Sequence, residues 1–193
     1  MRISTKVIVQ TGLLLAICIA SQFMKSLSVY ITGPIVNMTI VMAVLLIGVG
    51  SGLILAIISP LTAFWIAPSP ITMGIPFIIP CIMVGNVLLV MGIWLFQDKF
   101  FKKQMKENAR VALGMLIGVI AKAVFMGVSI ALVLLPMYSS NIKVPAKKLT
   151  ILMSTAKITF SITQLITAAT GCVICYVVWL RMKGVVTKGR THE

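Results

Sequence analysis

Acidic residues are nearly missing from this chain. Only Asp98, Glu107 and Glu193 carry side-chain carboxylates among 193 residues, and charged residues of both signs amount to 10%. A soluble domain carries about 25% charged residues, so a charge-solvated globular surface is excluded. Histidine is reduced to His192. No Walker A, H-E-x-x-H or G-x-S-x-G pattern occurs, which excludes a self-contained ATPase, a zincin and an α/β-hydrolase. The apolar runs hold no carboxylate, so a proton relay of intramembrane acids is excluded as well. The four cysteines (Cys18, Cys81, Cys172 and Cys175) fall in apolar runs. Cys172 and Cys175 form a C-x-x-C without a second ligand pair, and read as small packing residues rather than a metal or redox site. No metal, no cofactor and no enzymatic activity are expected.

What the chain has in abundance is apolar length. Hydrophobic residues make up 60%, in runs of about 17–25, the length of helix that crosses roughly 30 Å of hydrocarbon. The runs lack period-two alternation, which argues against an outer-membrane barrel. The fold expected is all-α: one transmembrane domain over residues 1–193, with spans near 7–24, 34–49, 53–67, 75–96, 111–135 and 149–180. The first run is longer than a signal-peptide core and ends at Lys25, so it reads as a retained span. Pro34 is expected to open the second span. The segment Gly48-Val49-Gly50-Ser51-Gly52 is expected to reverse the chain, and Pro60 to kink the third span. Residues 67–74 read as a rigid proline-punctuated loop and 97–110 as a charged loop. Spans two and three are short, and a re-entrant hairpin is the alternative for that pair.

The formal net charge is +14. In a soluble protein this would suggest nucleic acid. Here the cations sit between apolar runs, where they set topology, and no nucleic-acid partner is expected. One side of a six-span bundle collects Arg2, Lys6, Lys99, Lys102, Lys103, Lys106, Arg110, Arg181, Lys183, Lys188 and Arg190. The other holds Lys25, Lys143, Lys147 and Lys148. The positive-inside rule makes the richer side cytoplasmic, with both termini there. Trp94 and Trp179 then belong to the inner aromatic belt and Trp65 to the outer one.

Lys122 is the feature that points to function. It lies about 11 residues into the fifth span, roughly 17 Å deep at 1.5 Å per residue. An ammonium there costs at least about 2.5 kcal/mol on insertion scales, and such residues face a cavity or a partner. With no acid in any span, its counter-charge is a bound anion, or else it snorkels or sits neutral among carbonyls. Asn86 lies mid-span beside Gly85 and reads equally as a ligand contact or as interhelical glue. Asn37 and Gln22, near the outer ends of spans two and one, read first as glue. Lys157 falls at the outer interface, with Phe160, Ser161 and Gln164 at helical spacings. Gln164, Thr163 and Thr167 give span six a polar face suited to the bundle interior. Gly12, Ala16 and Ala20 form a stripe of small residues on span one that lets another helix approach closely; Gly114 and Gly118 form a similar run.

The stretch Ala16-Ile-Cys-Ile-Ala20, the Gly33-Pro-Ile-Val-Asn37 segment and the Pro80–Asn86 segment, in a six-span layout with both ends inside, resemble a substrate-binding S component of the energy-coupling factor transporters. The resemblance covers essentially the whole chain in layout. It implies a plasma-membrane subunit that captures a vitamin or related micronutrient in an outward-facing pocket. The subunit would dock on a membrane coupling protein that carries two ATPase subunits. Carried over, Gly12, Ala16 and Ala20 become the docking face. Asn86, Lys122, Lys157 and Gln164 become pocket residues, joined by Asn37 and Trp65 as ligand-binding candidates. Residues 25–33, 68–74 and 136–148 become lids. An outer mouth with lysines and no acids favours an anionic ligand over a cationic one. The competing expectations are a non-transporting membrane scaffold subunit and an enzyme acting on lipid headgroups.

Overall fold

The computed structural model describes residues 4–24, 28–100, 104–142 and 144–190, apart from the side chains of residues 146 and 183–190. Arg2, Lys25, Lys102, Lys103, Lys143, His192 and Glu193 lie outside the described residues. The helices are α1 (Thr5–Gln22), α2 (Val29–Leu46), α3 (Val49–Ile66), the short α4 (Pro70–Gly74), α5 (Ile78–Trp94) and α6 (Glu107–Met126), followed by α7 (Leu135–Met137), α8 (Ala146–Ile158) and α9 (Gln164–Arg190). π-helical turns extend α5 (Leu95–Lys99), join α6 to α7 (Gly127–Leu134) and join α8 to α9 (Thr159–Thr163). No strand occurs among the described residues. Six helical segments are long and apolar enough to cross a membrane: Thr5–Gln22, Val29–Leu46, Val49–Ile66, Ile78–Lys99, Glu107–Met137 and Lys147–Met182. The chain is a multi-pass membrane protein.

All six spans are shifted by a few residues from the expected bounds, the fifth starting at Glu107 inside the expected charged loop, and two of the shifts change the part a turn signal plays. The second span begins at Val29, because Ser28 caps it by accepting from the Tyr30 N–H at 3.1 Å. Pro34 therefore lies inside α2 rather than opening it. The glycine-rich reversal is also shorter than expected. Only Gly48 is needed for it, at φ 139°, a conformation L side chains rarely adopt. Gly50, Ser51 and Gly52 already belong to α3, where Ser51 Oγ meets Thr11 Oγ1 at 2.8 Å and Gly52 receives Val44. Spans two and three each have 18 residues, about 27 Å of helix. That is sufficient to cross.

Glycine sets the closest contacts between spans. A Cβ at Gly92 would stand 2.7 Å from the Gly118 Cα, and one at Gly118 would stand 2.8 Å from the Leu89 carbonyl oxygen. Gly114 meets the Ile93 Cα in the same seam, so the Gly114–Gly118 run serves packing between α5 and α6. Gly171 of α9 approaches the Pro34 carbonyl of α2 in the same manner. Lipid tails are as apolar as leucine, so such close approach, rather than exclusion from water, holds membrane helices together.

Two apolar clusters stack along the bundle. One fills the half that holds the start of α1 and the α5–α6 connection, around Val41, Leu55, Leu89, Ile93, Met115 and Trp179. The other lies toward the opposite end, around Ile71, Ile78, Met126, Ile130, Leu135 and Phe160. The polar side chains of interest occupy the layer between them.

Candidate functional site

A cavity of about 310 Å³ opens within the half of the bundle opposite the chain ends. Its walls include Val36, Pro60, Phe64, Ile79, Ile82, Leu152 and Phe160, and its polar groups include those of Gln22, Asn37, Ser59, Asn86, Lys122 and Gln164 beside several threonines. The volume falls at the lower end of the range for small-molecule sites. The expected rigid loop over residues 67–74 contains α4, which contributes Ile71 and Thr72 to the lining together with its cap, Ser69. There the Thr72 N–H donates to Ser69 Oγ at 3.2 Å, and the Ser69 N–H donates to Thr72 Oγ1 at 2.9 Å.

Lys122 supplies the cavity's cation. Its Nζ donates to Asn37 Oδ1 at 2.6 Å and to Asn86 Oδ1 at 2.7 Å, which ties α6 to α2 and α5. All three residues are 3% exposed or less. Each asparagine is held by a second bond that aims its oxygen at the ammonium. Asn37 Nδ2 donates to the Gly33 carbonyl at 2.9 Å, and Asn86 Nδ2 donates to the Ala56 carbonyl at 3.2 Å. The Ala56 carbonyl is free because its helical partner would be the N–H of residue 60, and Pro60 has none. Pro60 thereby acts as the orienting element for Asn86. Gly85 packs beside this arrangement: a Cβ there would stand 2.8 Å from Met126 Cγ, so glycine gives Met126 of α6 room along α5, one turn beyond Lys122.

An ammonium has three N–H donors. Two of them meet neutral amide oxygens, and no carboxylate lines the cavity among the described residues. The positive charge is therefore solvated by dipoles without being neutralised. Two lining residues carry further groups that are buried and have no hydrogen-bond partner among the described residues: Gln22 Oε1 and Ser59 Oγ. Such groups cost about 1–3 kcal/mol each when left unsatisfied.

Lys122, Asn86, Asn37 and Gln164 thus line one cavity, and two other sequence candidates do not. Lys157 is exposed on the outer face of α8, because its neighbours Thr155, Ala156 and Phe160 turn inward to the lining. Trp65 is 79% exposed near the end of α3 and points away from the cavity. Thr163 and Thr167 are buried but pack outside the lining, with Thr167 against Gly33. Gln22 does bond across helices as expected, to the Ser59 carbonyl at 3.0 Å, but it also lines the cavity. Ser59 was invisible as a site residue; its position one residue before Pro60 was the available signal.

The small-residue stripe of α1 is exposed among the described residues. Gly12, Ala16 and Ala20 are exposed, and nothing lies within 4 Å of a Cβ built at Gly12. Ile8, Val9, Leu13 and Ile17 flank it, all exposed. At the opposite end from the cavity, Arg110 donates from Nη1 to the Gln97 carbonyl at 2.7 Å, and Lys99 stands 4.6 Å above the Trp94 ring. Cys172 and Cys175 are free, buried thiols within α9.

No protein-family model matches the chain, and neither a curated protein nor a solved structure is similar to it. Fold and site together define a helical multi-pass membrane protein with a partly open cavity and a buried lysine that no carboxylate neutralises among the described residues.

Proposed function

We propose that the protein is the substrate-capture subunit of an ATP-driven micronutrient importer of the energy-coupling factor type. It resides in the plasma membrane with both termini cytoplasmic, and binds a small anionic, vitamin-like molecule from outside. The observation that carries this reading is Lys122, a buried cation in a cavity of ligand size that no acid lines among the described residues. A bound carboxylate or similar group supplies the missing counter-charge and the third hydrogen-bond acceptor. The largely apolar walls suit the remainder of such a molecule. The half of the bundle that holds the cavity is opposite Lys6, Lys99, Lys106 and Arg110, and the positive-inside rule makes that half the outer one. The unpartnered stripe of Gly12, Ala16 and Ala20 suits close docking of a helix from a membrane coupling protein, which would carry two ATPase subunits. A scaffold subunit would have the same stripe but no use for the cavity.

The test is ligand retention. The protein purified from cells should carry a small acid detectable by native mass spectrometry, and Lys122→Gln should lose it. Truncating one member of a buried charge pair costs about 2–5 kcal/mol, roughly 30- to 4,000-fold in affinity. Retention of the same acid by Lys122→Gln with unchanged affinity would refute the anion-binding role.

A further inference from the structure

Within that reading, the lining of the cavity carries hydrogen-bonding capacity that an acid at Lys122 does not use. The Gln22 amide cannot be turned over. Its Nε2 donates to the Ser59 carbonyl, which can only accept. Its Oε1 therefore faces away from that bond, with no donor among the described residues and 1% exposure for the residue as a whole.

Ser59 is unusual within this chain. In helices, serine and threonine hydroxyls commonly bond back to a carbonyl one turn earlier. Thr11, Thr32, Ser129, Ser161 and Thr167 all do so here, to the fourth preceding residue. The Ser59 hydroxyl has no partner among the described residues, although the residue is 2% exposed. The two residues are joined, because the Gln22 amide donates to the Ser59 carbonyl. Both residues line the cavity.

We infer that Gln22 and Ser59 form a second polar subsite, which accepts an N–H or O–H group of the substrate. Gln22 Oε1 accepts that proton, and the Ser59 hydroxyl serves an oxygen or nitrogen beside it. The substrate class is thereby narrowed. It is an acid whose apolar body also carries a hydroxyl, secondary amide or ring N–H, rather than a plain fatty or aromatic carboxylate. This inference rests on the proposed function, since it places the donor on the molecule whose anion meets Lys122.

The experiment recovers the small molecule bound to the wild-type full-length protein by untargeted mass spectrometry. Binding of that compound, and of its derivative methylated at the N–H or O–H, is then measured by calorimetry on the wild type, Gln22→Met and Ser59→Ala. The expected result is an acid with such a donor, whose affinity falls roughly 5- to 100-fold in Gln22→Met and on methylation. Methylation should then make little further difference in Gln22→Met. Ser59→Ala, a smaller change, should weaken binding in the same direction. A recovered acid with no N–H or O–H donor overturns the subsite and leaves the proposed function standing. So does an acid that binds wild type, both variants and the methylated form alike. If Gln22→Met does not fold, methylation tested on wild type and Ser59→Ala decides the same question. Recovery of a cation, of a neutral molecule or of no small molecule overturns both proposals.

Discussion

The link from Pro60 through Ala56 and Asn86 to Lys122 can be tested by stability alone, with no ligand present. Replacing Asn86 with leucine removes one of two acceptors from the ammonium and leaves the Ala56 carbonyl without a donor. Interhelical hydrogen bonds in membranes contribute about 0.6 kcal/mol on average and up to about 1.7. An orphaned buried carbonyl adds about 1–3 kcal/mol. The single variant should therefore lose about 2–4 kcal/mol. Pro60→Ala restores an N–H one turn after Ala56, and that N–H takes the carbonyl whether or not Asn86 is present. In this background Asn86→Leu should lose less, which gives a coupling of about 1–2 kcal/mol in a double-mutant cycle. The assay is reversible unfolding in mixed micelles of SDS and a mild detergent. Asn37→Leu is the control, since its Nδ2 bonds the Gly33 carbonyl, and its cost should not depend on Pro60. If Asn86→Leu and Pro60→Ala add within about 0.5 kcal/mol, the proline does not orient the asparagine and this account of the site is wrong.

Three other outcomes follow from the packing. Gly118→Ala puts a methyl 2.8 Å from the Leu89 carbonyl oxygen; overpacking of this kind typically costs about 1–3 kcal/mol, and the same micelle assay should register it. Gly12→Leu should leave stability and ligand retention unchanged, because nothing lies within 4 Å of that position. Under the proposed function it should nevertheless abolish co-purification with the coupling protein and its ATPases, and undiminished co-purification would remove α1 as the docking face. Lys157→Ala and Trp65→Ala should each bind the recovered ligand within about twofold of wild type, since neither side chain reaches the cavity; a tenfold loss on calorimetry would contradict that placement.

Much of this protein follows from one-dimensional pattern. The lack of acids, the apolar runs and the clustering of lysine and arginine determine six helical spans, because burying unpaired backbone in lipid leaves only helices or closed barrels. The depth of Lys122 likewise follows from counting residues along a regular helix. Helix starts were less legible. Pro34 and Gly52 are turn signals in water, whereas in the bundle they serve packing between spans. What only the tertiary structure decided is which polar groups meet. Lys122, Asn86 and Asn37 lie on three different helices, and the angular setting of each helix brings them together. The same setting turned Lys157 and Trp65 outward while bringing Gln22 and Ser59 to the cavity. Periodicity along one helix carries no information on the rotation of its neighbours. In this bundle that rotation is set by glycine contacts such as Gly92 on Gly118 and Gly171 on the Pro34 carbonyl, which exist only once the helices have packed.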